Sequence, residues 1–124
     1  MAYRLNITRS PTMTVAQITA LASREEAEEI VMAIEKETRE HQDTRLLIDL
    51  TDYVGTLDPA SQRWLGELVV VHLSHLKRVA SLVGEDKITR LSEQAAQERG
   101  VQLRVFTELT AAVSWLLEAP AGTQ

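Results

Sequence analysis

The chain opens on a two-residue rhythm. Tyr3, Leu5 and Ile7 alternate with Arg4, Asn6 and Thr8, the period of a strand buried on one face. Ser10-Pro11-Thr12 supplies a turn, and the apolar residues that follow predict a second strand over about 13–20, paired with the first as an antiparallel hairpin. The period then changes. Ser23 and Glu26 have capping-box spacing, and Ala27, Ile30, Val31 and Ile34 recur at helical intervals while Glu28, Glu35, Lys36 and Arg39 fall on the other side. That pattern predicts a helix over 24–41. Leu46-Leu47-Ile48-Asp49-Leu50 is apolar without alternation, as in a strand covered on both faces in a parallel sheet, and predicts a strand over 45–51.

Downstream the alternation of strand and helix repeats. Asp58-Pro59 joins a capping residue to a proline suited to the first helical position, and predicts a helix over 59–76. Val79 to Val83 is a β-rich run closed by Gly84. Asp86 and Thr89 precede a helix carrying Leu91, Ala95 and Ala96 that stops at Gly100. Val101, Leu103 and Val105 alternate with Gln102 and Arg104 as a last strand. Thr107 is placed to cap a final helix bearing Leu109, Ala112, Val113 and Leu116, and Pro120 and Gly122 come after it. The predicted order is ββαβαβαβα: an α/β fold with a mostly parallel five-stranded sheet, an antiparallel N-terminal edge strand and four helices, forming a single domain over 1–124. In such sheets ligands gather beyond the carboxyl ends of the strands, so the segment after Leu50 is where a site is expected.

Composition narrows the classes of function. The 124 residues, 44% hydrophobic and 25% charged, suffice for one ordinary core. A formal net charge of −5, with no stripe of Lys and Arg, argues against a nucleic-acid or anionic-membrane partner. The absence of cysteine excludes disulfides, thiol catalysis and thiolate metal sites, and fits a reducing compartment. The N-terminal residues lack an uninterrupted apolar stretch, so no cleaved signal is expected. The longest apolar stretch, Trp64 to Leu76, is interrupted by Glu67, His72 and His75 and is too short for membrane insertion. The cytoplasm is the expected compartment.

Four segments together carry a family resemblance: Leu46 to Tyr53, Asp58-Pro59-Ala60-Ser61, Arg78 to Gly84, and Val105 to Leu116. The most specific element is the spacing of Phe106, Ala112, Trp115 and Leu116. With these, the chain resembles the SpoIIAA-like (STAS/SEC14-like) proteins over nearly its whole length. The resemblance implies successive β/α turns, a fold shared by bacterial anti-sigma-factor antagonists and related to lipid-binding SEC14-type domains. In the antagonists, a serine directly after an aspartate at the start of the second helix is phosphorylated by a partner kinase. Here Pro59 follows Asp58, and the nearest hydroxyls are Ser61 downstream and Thr56 upstream. A one-residue shift at a helix start turns a side chain by about a hundred degrees, so the switch serine is not matched.

Other candidate chemistry is sparse. Asp49, Asp52, Asp58, Glu85 and Asp86 fall near the carboxyl ends of adjacent strands, where they could hold a cation or act as acid and base. Helix caps at Asp58 and Asp86 and an Asx-turn at Asp52 explain them more simply. Asp49 interrupts an apolar run and is the acid for which a buried partner is expected; an uncharacterised activity near it is the residual enzyme reading. His72 and His75 stand three apart on a helix, but no third metal ligand accompanies them, and His41 ends the first long helix. No dinucleotide-binding, Walker, nucleophile-elbow or zinc-protease motif occurs. A response-regulator receiver would need an acidic pair after the first strand, where Ile7-Thr8-Arg9 stands.

Helix two presents more apolar surface than one sheet face requires. Val70 and Val71 widen the stripe formed by Trp64, Leu65, Leu68, Val69, Leu73 and Leu76. Full burial, a subunit interface and the wall of an apolar pocket compete to explain it, with Trp115 as an extension of the same patch. The expectation is a non-enzymatic regulatory or protein-binding module without cofactor or metal. Its partner, an anti-sigma or kinase-like protein, would meet the loop of Asp49, Asp52, Thr56, Asp58 and Ser61. The alternative is a small apolar ligand or lipid fragment bound at Trp64, Leu68, Val70, Val71 and Trp115. A homodimer through helix two is expected alongside either.

Overall fold

The computed structural model describes residues 3–87 and 90–118. Its elements follow the predicted order: β1 (Arg4–Arg9), β2 (Thr14–Leu21), α1 (Arg24–Glu40), β3 (Arg45–Val54), α2 (Pro59–Leu73), β4 (Arg78–Leu82), a 3₁₀ turn (Glu85–Lys87), α3 (Leu91–Glu98), β5 (Leu103–Phe106) and α4 (Leu109–Leu117). The five strands form one sheet in chain order. β1 runs antiparallel to β2, and β2 through β5 are mutually parallel.

That order has a geometric consequence. Each crossover from β2 to β5 moves one strand in the same direction, and right-handed crossovers then deposit every connecting helix on one face. Ile30, Val31 and Ile34 of α1, Leu68, Val69 and Leu73 of α2 and Ala96 of α3 accordingly share one core with Ala16, Ile18, Leu46, Ile48, Val79 and Leu103 of the sheet. α4 follows the last strand and is free of that rule. It covers the opposite face, where Ala112, Trp115 and Leu116 meet Leu47, Ala80 and Leu82. The strand read as covered on both faces is therefore covered by different layers: Leu46 and Ile48 by the three-helix layer, Leu47 by α4.

Several boundaries differ from the sequence reading, each for a local reason. β3 continues to Val54 rather than residue 51, because a bulge sets Leu50 and Thr51 opposite Ile18 and lets pairing resume at Thr19 and Asp52. α2 ends at Leu73, and Leu76 remains buried through a turn in which its amide donates to the Leu73 carbonyl (3.1 Å). Val101 is not the start of the last strand. Gly100, at φ 85°, lets the Val101 amide reach Ala96 O (3.1 Å) and its own amide reach Gln97 O (3.0 Å), the Schellman closure of α3.

Two predicted caps are not made. Asp86 lies in the 3₁₀ turn, while Arg90 occupies the N-cap of α3 without a side-chain bond; Thr89 lies outside the described residues, as do Pro120 and Gly122. Glu108, not Thr107, stands at the N-cap of α4, again without a side-chain bond. Ser23 and Asp58 do cap α1 and α2, accepting from Glu26 N and Ser61 N.

Candidate apolar cavity and the loop beside it

Beneath the three-helix layer the packing is incomplete. A cavity of about 160 Å³ lies between the sheet and α1 and α2. Its walls are mainly apolar: Ile18, Ile30, Ile34, Ile48, Leu65 and Val69 stand among them. The exposed residues in its lining, Gly55 and Thr56, place the mouth at the loop between β3 and α2. This is the carboxyl-end side of the sheet, but the cavity lies under the helices and not in a crevice between diverging ones. Strands in unbroken chain order leave no point at which the winding reverses, so that crevice does not form.

The bulge in β3 decides what faces the cavity. Leu50 and Tyr53 both line it, three residues apart, which a regular strand with its period of two could not achieve. Tyr53 is half-buried there, and burial pushes its phenol pKa up. At the mouth, the Lys87 ammonium donates to the Tyr53 carbonyl and ties the 3₁₀ turn to the end of β3. Gln62 Nε2 donates to Leu57 O at 2.6 Å, bracing the loop against α2.

Beside the mouth, the starts of α1 and α2 are stapled together. Arg24 Nε donates to Ser61 Oγ at 2.6 Å, and its guanidinium carbon lies 4.8 Å from the centre of the Trp64 ring, a cation–π arrangement. The Ser61 amide donates to Asp58 at 3.1 Å. The Ser61 hydroxyl, followed by that amide, holds the Asp58 carboxyl below its ordinary pKa. Ser61 is thus buried, its hydroxyl accepting from Arg24 and its amide donating to Asp58.

The sequence-derived candidates are distributed as follows. The five acids near the strand ends do not converge. Asp49 is half-buried rather than enclosed; its carboxylate accepts from Thr51 Oγ1 (2.7 Å) and Thr51 N (3.0 Å), a local turn bond that needs no chemistry. Asp52, Asp58, Glu85 and Asp86 are exposed. Asp52 continues β3, so the expected Asx-turn does not end the strand there. Thr56 is exposed at the mouth. Among the described residues, no three acids or histidines are placed to hold a metal ion. His72 Nδ1 lies 2.8 Å from Glu35 Oε1 and His75 Nε2 lies 2.8 Å from Thr38 Oγ1, so both histidines turn to α1.

The apolar candidates share the cavity's helix but not its wall. Trp64 is half-covered by Arg24, Leu68 is in the core, Val70 packs partly against it, and Val71 is exposed. The α2 residues that face the cavity are Gln62, Leu65 and Val69. Trp115 is a correction of a different kind. It does not extend an apolar patch of helix two: it is buried on the far face of the sheet, 5.7 Å from Phe106 and beneath the guanidinium groups of Arg78 and Arg104. Sequence reasoning missed Lys87, Tyr53 and Ser81 as lining residues. Tyr53 closed a quoted motif, but only the bulge reveals its direction.

An α/β protein with one three-helix layer, a single helix behind the sheet and an apolar cavity at the strand ends is the class this architecture defines. A sequence profile of the SpoIIAA-like family matches residues 14–117, and the chain belongs to that family. The fold is also that of an uncharacterised DUF3478-family protein with a SpoIIAA-like fold from Shewanella loihica PV-4, at a TM-score of 0.55 and 21% identity, covering 93% of this chain and 94% of that one. None of the curated proteins matches the sequence. Among the described residues no helix is long and apolar enough to cross a membrane.

Proposed function

We propose that this protein is a non-enzymatic binding module that takes a small apolar molecule into the cavity under α1 and α2. The cavity itself carries the reading. Well-packed interiors keep few voids larger than a water molecule, whereas an apolar-walled space of about 150 Å³ has room for a guest the size of benzene. The walls offer Ile, Leu and Val on every side, with Thr56, Gln62, Ser81, Ser92 and Lys87 as the polar minority, the composition usual for small-molecule sites. Denaturing and native mass spectrometry of the purified protein, followed by titration with apolar probes, tests this. A retained small molecule, or saturable probe binding abolished by Leu65→Trp with the fold intact, is the expected result. No retained mass and no probe binding would remove the reading.

A protein partner at the loop between β3 and α2 is a second reading, favoured by the exposure of Asp52, Thr56 and Asp58. A phosphoswitch at Ser61 fits poorly with a hydroxyl that is buried and accepts from Arg24; adding about two negative charges there would break the staple. Thr56 is the hydroxyl left for such a partner. Incubation with a kinase-like anti-sigma factor from the same genome should then label Thr56, and Thr56→Glu should release the complex. Absence of both label and complex ends this version.

A further inference from the structure

Among the described residues, Lys87 is the one charged residue in the lining of the cavity. Its position follows from a short chain of bonds. Val83 N donates to Phe106 O (2.9 Å) and Lys87 N to Gly84 O (3.0 Å), which fix the segment after β4 as a tight turn. The Lys87 side chain then spans from that turn to the Tyr53 carbonyl across the mouth. Lys87 is half-buried, a position suited to an amphipathic side chain whose methylene stem tolerates apolar surroundings while its ammonium keeps polar ones.

The ammonium has three donors, and the Tyr53 carbonyl satisfies one. No carboxylate among the described residues forms an ion pair with it, although eight other pairs occur among them. Glu85 and Asp86 share its turn, yet both are exposed, and the Asp86 carboxylate lies against Gly84. In a chain of net charge −5, a cation left without an acidic partner at the rim of an apolar cavity has a directional meaning. It favours a guest with an apolar body and a single anionic end. Lys acts as a compact point charge and lacks the fork that suits a bidentate or multiply charged phosphate, and the nearby Arg90 is already bound to Glu93 (2.8 Å) and Val105 O (2.9 Å).

We propose that the cavity binds an amphipathic monocarboxylate, its apolar part of about six to eight heavy atoms inside and its carboxylate at Lys87. The proposal rests on the cavity reading above and adds the chemical class of the ligand. Both donors of Lys87 not given to Tyr53 are then met by the ligand oxygens, and the desolvation that a buried carboxylate would suffer is avoided because the charge stays at the mouth.

Calorimetric titration of octanoate and 1-octanol, which share a chain and differ in the head, separates the two layers of the argument. For the unmodified protein at pH 8 and low salt, octanoate is expected to bind about tenfold more tightly than octanol, with the gap narrowing as salt rises. Lys87→Gln keeps a donor for the Tyr53 carbonyl and removes the charge. It should bring octanoate down to the affinity of octanol while leaving octanol within about twofold, the unchanged octanol value certifying an intact cavity. Equal affinities in the unmodified protein, or a preference for octanoate that survives Lys87→Gln, would overturn the carboxylate assignment and leave the cavity reading standing. If neither probe binds, both fall together.

Discussion

His75 is the most exposed to a change of pH, because its two nitrogens live in different surroundings. Thr38, fully buried, has one hydroxyl proton and two backbone carbonyls of α1 within reach, Ile34 O at 2.8 Å and Glu35 O at 3.2 Å. Donating to those, its oxygen accepts from His75 Nε2 (2.8 Å), which puts the ring proton of the neutral form on Nε2. Nδ1 is buried with no partner among the described residues, so a second proton there would be an unpaired N–H. Burial, then the charge of Arg39, push the imidazole below its ordinary pKa, against the pull of Glu35 and Asp43. A histidine with a depressed pKa binds its proton in the unfolded chain first, so its contribution to stability is complete above about pH 6.5 and declines as pH falls from there toward the folded value. Urea midpoints measured from pH 8 to pH 5 should therefore fall, and His75→Gln should flatten that slope; an equal slope in the variant would remove His75 as its source. The histidines were visible in the sequence as helix-edge residues needing no metal. Their partners were not, because Glu35 and Thr38 lie 37 residues away from His72 and His75, a pairing created only when α1 and α2 pack.

At the scale of elements, α2 is held by a close approach that polarity patterns do not record. A methyl group added at Gly66 would come within 2.3 Å of the Ser92 carbonyl oxygen and 2.8 Å of the Ala95 methyl, both on α3. The neighbour includes rigid helical backbone, so the clash cannot be relieved by a rotamer change. Gly66→Ala ought to gain helix propensity of about 1 kcal/mol if the site were exposed. Here it should instead lose about 1–3 kcal/mol as α2 and α3 are forced apart, read as a lower urea midpoint at unchanged slope; a midpoint that rises would show that the helices separate freely. Read along the sequence, Gly66 is a weak spot in a helix rather than the contact that lets two helices meet. The far end of the fold tells the same story. Arg45 Nε donates to Leu116 O at 2.8 Å and Arg78 to Trp115 O, so two cations from the starts of neighbouring strands complete the C-terminus of α4, where the helix dipole favours positive charge. Element types and order were legible because periods of two and of 3.6 are local properties. Trp115 was misplaced because its cover includes Arg78, which precedes it by 37 residues, and Arg104 of β5.

For the molecule as a whole, the same packing bears on self-association. Expectation of a homodimer grew from the breadth of the apolar stripe on α2, and most of that breadth is now accounted for internally. Leu65 and Val69 face the cavity, Leu68 and Leu73 are buried, and Val70 packs partly against the core. Val71, 64% exposed, is the large apolar residue of that helix left to solvent. One such valine is an ordinary surface feature, far short of the roughly 800 Å² per partner of a stable interface. Elsewhere Leu21 and Val54 are both exposed and directly paired across β2 and β3, a patch of two residues. The β1 edge of the sheet is also guarded: β1 begins and ends in arginine, and Arg9 reaches back to Asp43 (2.9 Å) and Glu37 (3.1 Å), an edge that is charged rather than flat and apolar. With a net charge of −5 opposing close approach of two copies, light scattering at about 100 μM, far above the concentration at which a micromolar dimer forms, should return the mass of one chain. A dimer mass under those conditions would refute this, and Val71→Glu together with Val54→Glu would then tell which patch it uses: loss of the dimer with the first alone would restore α2 as an interface, while loss with the second would place the contact beside the cavity mouth.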